Sequence, residues 1–177
     1  MTTSKDRINY ITTAAFIAVA YAALTYFGGF FGLSYGPVQL RFSEVLTVLP
    51  VFTPAAIPGL TIGCFLANIG SFNPLDMVFG TFATLIAALL TYLWRNIRFK
   101  KLPLLSLLPP VIVNAVIIGA EISIFFLPQK ASLYGYLISA FYVGIGEFIV
   151  CYCLGIPVFL ALVNTKISKL NFLGKRK

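Results

Sequence analysis

Glu121 and Glu147 are two of only five acidic residues in this 177-residue chain, and both stand in long apolar stretches with no basic residue close by in sequence. A charged side chain inside a membrane span costs about 2.5–3.5 kcal/mol at the bilayer centre, so it normally faces a partner or a watery cavity. The two acids are therefore candidates for ligand capture or gating. Asn114 precedes Glu121 by seven residues, two helical turns, so both side chains can face one cavity. Glu147 follows Gly144 and Gly146, which leave room for a neighbouring backbone or a flat ligand. Gln39, Arg41 and Glu44 cluster where the first loop enters the second apolar segment, Asn68 closes the third, and Asp76 opens the fourth. Arg41 and Glu44 either pair with each other at the membrane surface or serve the ligand. Asp76 is either a helix-start residue favoured by the helix dipole or a ligand group. Tyr35, Phe72, Phe125, Tyr134, Phe141 and Tyr142 lie beside these groups. They read either as a face for a planar ligand, with Tyr142 counted in the site, or as an interfacial belt.

These residues need elements to hold them, and the composition says which. The chain is 59% hydrophobic and 10% charged, with a mean hydropathy of +0.95. A soluble domain keeps about a quarter of its residues charged. No charge interrupts the intervals between Arg7 and Arg41, Glu44 and Asp76, Asp76 and Arg95, or Lys101 and Glu121, and an apolar helix needs about 20 residues to cross the hydrocarbon. The reading is an all-α integral membrane protein, a single domain over residues 1–177. Its six segments run over about 8–27, 42–53, 56–70, 75–94, 104–127 and 133–163. The second and third are short, divided by Pro50, Pro54 and Pro58. Pro109 and Pro110 are expected to kink or delay the fifth, and the sixth to tilt or bend near Gly155 and Pro157.

All of the 13 Lys and Arg except Arg41 and Lys130 precede the first span, lie at 95–101, or lie at 166–177. Positive residues flanking spans mark the cytoplasmic side. Six segments with both termini cytoplasmic place all three basic clusters inside, so the charge of +8 is a topology signal rather than a mark of nucleic-acid binding. Basic flanks also suit contact with anionic lipid headgroups. On this topology most of the polar candidates fall toward the outer side, with Asn114 and Glu147 deeper. The expectation is an outward-facing polar pocket for a small solute.

Several chemistries drop out. With no His there is no HExxH zinc site and no Ser–His dyad, and no G-x-x-x-x-G-K-[ST] loop is present for ATP. No catalytic residue, metal site or cofactor is expected, and the chain is read as a non-enzyme. Cys64, Cys151 and Cys153 lack CxxC spacing and read as small buried hydrophobes. Ala14, Ala18 and Ala22 repeat every four positions on the first span, a smooth stripe for close helix packing, either within the chain or against another subunit.

The stretches Gly36–Glu44 with Val45–Pro50, Pro54–Gly59, Gly63–Asn68 and Val143–Cys151 resemble the QueT family over about residues 8 to 165. These are substrate-binding S components of energy-coupling factor (ECF) transporters assigned to queuosine precursors. The resemblance implies a six-helix S-component bundle in a bacterial plasma membrane. It implies partnership with a transmembrane coupling protein and two cytoplasmic ATPases, docking through the alanine stripe, and a loop at 28–39 that closes over the ligand. The implied ligand is a 7-deazaguanine such as preQ1, whose aminomethyl group is cationic. Glu121 or Glu147 would accept its paired N–H donors, a second acid would meet the cation, and Asn114 or Gln39 the ring carbonyl or nitrogen. The alternatives are a stand-alone secondary carrier, an S component for another vitamin-like solute, and an intramembrane enzyme using two acids.

Overall fold

Small residues set how closely the helices of this chain can approach, and they recur at four-residue spacing on each of the tightest faces. The computed structural model describes residues 4–31, 41–70, 74–100, 102–127 and 132–164. They form α1 (Ser4–Phe30), a 3-10 helix (Phe42–Val51), α2 (Ala56–Ile69), α3 (Pro74–Leu93), α4 (Leu105–Phe126) and α5 (Leu133–Asn164). The fold is all-helical. Among the described residues the only extended pairing is an isolated bridge between Phe99 and Leu102, closing a turn in which Lys100 takes a φ of 46°.

The helices form a sequential arc in which each of α1 to α5 packs on the next. In the α1/α2 contact, a Cβ added at Gly59 would lie 2.8 Å from the Ala14 carbonyl oxygen, and one at Gly63 would lie 2.8 Å from that of Ala18. Ala14-x-x-x-Ala18 thus meets Gly59-x-x-x-Gly63. The α4/α5 contact repeats the device, with Gly119 against Ala140 and Gly144 against Ala115. Without water to drive apolar faces together in lipid, such close packing is a main source of helix adhesion. The 3-10 helix touches all five helices and plugs the hollow of the arc. Val48 and Val51 on it pack with Leu107 of α4 and Phe159 of α5, while Tyr21, Leu60, Cys64 and Ala88 form the core between α1, α2 and α3.

α1, α3, α4 and α5 are long and apolar enough to cross a membrane. At a rise of 1.5 Å per residue α2 is only about 21 Å long, short of the roughly 30 Å hydrocarbon. Pro109 and Pro110 delay the α-helical part of α4, which follows a 3-10 turn (Leu105–Leu107) and begins at Leu108. In α5 the disturbance comes before the Gly155–Pro157 region, as a π-helical turn over Ile149–Leu154. Pro157 supplies no N–H to the turn behind it, and the widened turn takes up the mismatch. A second π turn, Ile122–Phe126, ends α4 directly after Glu121.

The second segment is helical but wound differently from an ordinary α-helix. Runs of 3-10 helix beyond 3–4 residues are uncommon, yet this one has ten. Its hydroxyl at Thr47 donates back to the Glu44 carbonyl, and Pro50 lies inside it. With three residues per turn, side chains at i and i+3 eclipse. Arg41, at its N-cap, therefore stands in line with Glu44, Thr47 and Pro50, and all four are buried.

Candidate functional site

Four of the chain's five acids are buried, each on a different element: Glu44 on the 3-10 helix, Asp76 on α3, Glu121 on α4 and Glu147 on α5. One guanidinium, that of Arg41, is buried with them. Its Nη2 lies 3.9 Å from Asp76 Oδ2, and it is within electrostatic reach of Tyr21, Glu44 and Cys64. Arg41 and Glu44 do not form a surface pair of their own. In the eclipsed row they project inward, and Arg41 takes Asp76 as its ion-pair partner. Gly80 of α3 leaves the space beside them, since a Cβ there would lie 2.9 Å from Asn68 Nδ2 and 3.6 Å from Arg41 Nη1.

Glu44 Oε1 accepts a hydrogen bond from the Tyr21 hydroxyl of α1. Beside it, Thr25 donates to the Ser43 hydroxyl at 2.8 Å. Glu147 Oε1 accepts from Asn114 Nδ2 at 2.9 Å, and its Oε2 from the Cys151 thiol at 3.7 Å. The same sulfur is 3.6 Å from the Thr47 hydroxyl, so Glu147 and the 3-10 helix are joined through Cys151. Asn68 Nδ2 donates to the Asp76 carbonyl at 2.8 Å and to Cys64 Sγ at 3.5 Å. Glu121 is 2% exposed; its carboxyl group lies against that of Asp76, and neither of its oxygens accepts a hydrogen bond from an N–H or hydroxyl donor among the described residues. Arg41 Nε and Nη2 and Glu44 Oε2 are buried without a hydrogen-bond partner among the described residues.

Arg41, Glu44, Asn68, Asn114, Glu121 and Glu147 therefore all reach the buried polar interior, joined by Asp76. Gln39 lies outside the described residues, as do Tyr35 and Phe72. Tyr142 is 46% exposed and faces Phe141 on the outside of the bundle, away from this cluster. Phe125, Tyr134 and Phe141 are exposed as well. The aromatic group within the cluster is Tyr21. Its position had a signal, since in a helix it sits about 21 Å beyond Arg7, too deep for an interfacial belt, where a phenol requires a partner. Cys64 and Cys151 lie one turn from Asn68 and Glu147 on the same faces and share their hydrogen bonds, so they are more than apolar filler. Cys153 is exposed. Ala14 and Ala18 are buried under α2, and Ala22 packs partly buried at the edge of the same core, so most of the alanine stripe is occupied within the chain. Among the described residues no group of His, Cys, Asp and Glu is placed to hold a metal ion.

Long apolar helices around a sealed set of acids and one arginine define a helical membrane protein with a polar interior suited to a small solute. The family model described as the QueT transporter matches residues 11–164, and the chain belongs to that family. The family's description is that of a transporter. The queuosine precursor transporter QueT of Lactococcus lactis subsp. cremoris (strain MG1363) is 37% identical over 97 residues. That stretch is 55% of this chain and 57% of the relative, little more than half of each. No solved structure matches the chain.

Proposed function

We propose that this chain captures a queuosine precursor, a 7-deazaguanine carrying an aminomethyl cation, at the polar cluster between its six helical segments. The observation that carries this reading is the mixture of unmet groups: buried donors on Arg41 beside buried acceptors on Glu44 and Glu121. A group sealed from water without a partner costs about 1–3 kcal/mol, so the site suits a solute that presents both acceptors and donors. A guanine-like edge does, with a ring carbonyl beside adjacent N–H groups. Four carboxyl groups against one guanidinium favour a ligand with positive charge. The name of the Lactococcus relative supports the same substrate class.

In this reading residues 1–177 act as one substrate-binding unit of an ECF-type importer in a bacterial plasma membrane. Both termini are cytoplasmic, and a membrane coupling protein and two ATPases supply the energy. Equilibrium binding to the purified chain in detergent tests the substrate, with guanine, riboflavin and thiamine as controls. The aminomethyl deazaguanine is expected to bind and the controls to bind at least about tenfold more weakly, or 1.4 kcal/mol. Absence of binding by well-folded protein would remove the assignment. Uptake by cells expressing the chain alone, without coupling protein or ATPases, would remove the partnership.

A further inference from the structure

The four buried acids are not equivalent in what they already hold. Glu44 accepts from Tyr21, Glu147 accepts from Asn114 and Cys151, and Asp76 lies against Arg41. Glu121 accepts from nothing among the described residues, although it is 2% exposed. Both of its carboxyl oxygens are sealed from the outside of the bundle, and the group lies beside Asp76 and near Arg41, so it is aimed into the cluster and not at lipid. Two carboxyl groups that face each other repel when both are charged, and a cation between them relieves the repulsion.

We propose that Glu121, with Asp76 beside it, is the seat of the ligand's ammonium group, while Asn114 and Glu147 read the uncharged ring. This rests on the function proposed above and divides the ligand between two parts of the site. An ammonium has three N–H donors and no acceptor, so one such group can bridge the two carboxylates. Glu147 is already oriented by an amide and a thiol, and an oriented carboxylate suits the fixed, adjacent donors of a planar ring. The division makes Glu121 a specificity residue: it separates an aminomethyl deazaguanine from the neutral nitrile of the same ring, which brings no cation.

Titration calorimetry on the purified full chain in detergent, with the aminomethyl and the cyano compounds, tests this directly. In Glu121→Gln the aminomethyl compound is expected to lose at least about tenfold in affinity, 1.4 kcal/mol. The cyano compound should change by less than about twofold. Glu147→Gln is expected to weaken both compounds by similar factors. Should Glu121→Gln fail to fold, Glu121→Asp keeps the charge but withdraws it by one methylene. It is expected to give the same selective loss in smaller measure. Equal weakening of both compounds by the Glu121 variant, or no effect on either, would overturn the seat. A wild-type chain that binds neither compound would overturn the queuosine reading itself, and the seat with it.

Discussion

The two sides of the polar cluster are built from the same kinds of residue but finished differently. On the side where α1, the 3-10 helix and α5 meet the middle of α4, Tyr21 holds Glu44, and Asn114 and Cys151 hold Glu147. On the side where α3 meets α4, Arg41 approaches Asp76 only to 3.9 Å, and Glu121 accepts from no N–H or hydroxyl donor among the described residues. A carboxylate with its partners in place contributes to the fold and resists displacement. One without partners weakens the fold and gains by meeting a ligand. The difference separates the part of the cluster whose carboxylates already hold N–H, O–H or S–H donors from the part where the Glu121 carboxyl group holds none among the described residues.

The most disruptive way to break this contrast is Arg41→Met, which leaves four buried acids with no cation among them. Breaking a buried ion pair by removing one partner costs about 3–5 kcal/mol, and thermal unfolding in detergent should show a loss of that size. Next come the finished contacts. Tyr21→Phe and Asn114→Leu strand Glu44 Oε1 and Glu147 Oε1, with an expected cost of about 1–3 kcal/mol each by the same measurement. Glu121→Leu sharpens the contrast from the other direction. Because no partner is lost, apolar replacement of this buried acid is expected to leave stability unchanged or raise it by about 1 kcal/mol, while binding of the cationic ligand collapses. A destabilisation as large as that of Asn114→Leu would mean that the two sides are alike. The smallest effect belongs to Tyr142→Phe. On an exposed face, it should change unfolding and affinity by less than about 0.5 kcal/mol.

Much of this was legible in the sequence because the bilayer makes charge conspicuous. Glu121 and Glu147 stood out simply by lying in apolar stretches, and Asn114 followed from helical spacing. The positions of α1, α3 and most of α4 followed from the length of charge-free intervals. What was not legible depended on winding and on third elements. The row of Arg41, Glu44 and Thr47 exists only at three residues per turn, and composition does not announce a ten-residue 3-10 helix. Tyr142, five positions before Glu147, looked like a site residue, but at 100° per residue the two point about 140° apart, and it faces outward. The alanine stripe was readable as an adhesive surface. Its occupant, the Gly59–Gly63 face of α2, was not, because small residues advertise close approach without naming a partner.

The 3-10 helix has a mechanical consequence. Ten residues wound at about 2.0 Å per residue span about 20 Å, whereas the same ten in an α-helix would span about 15 Å. Rewinding would shorten the rod by about 5 Å and fan Arg41, Glu44 and Thr47 apart by about 60° per step. The alignment of the site and the length of the rod are therefore one variable. Contraction of the rod would draw Thr47 away from Cys151, and the contact that joins the rod to Glu147 would open with it.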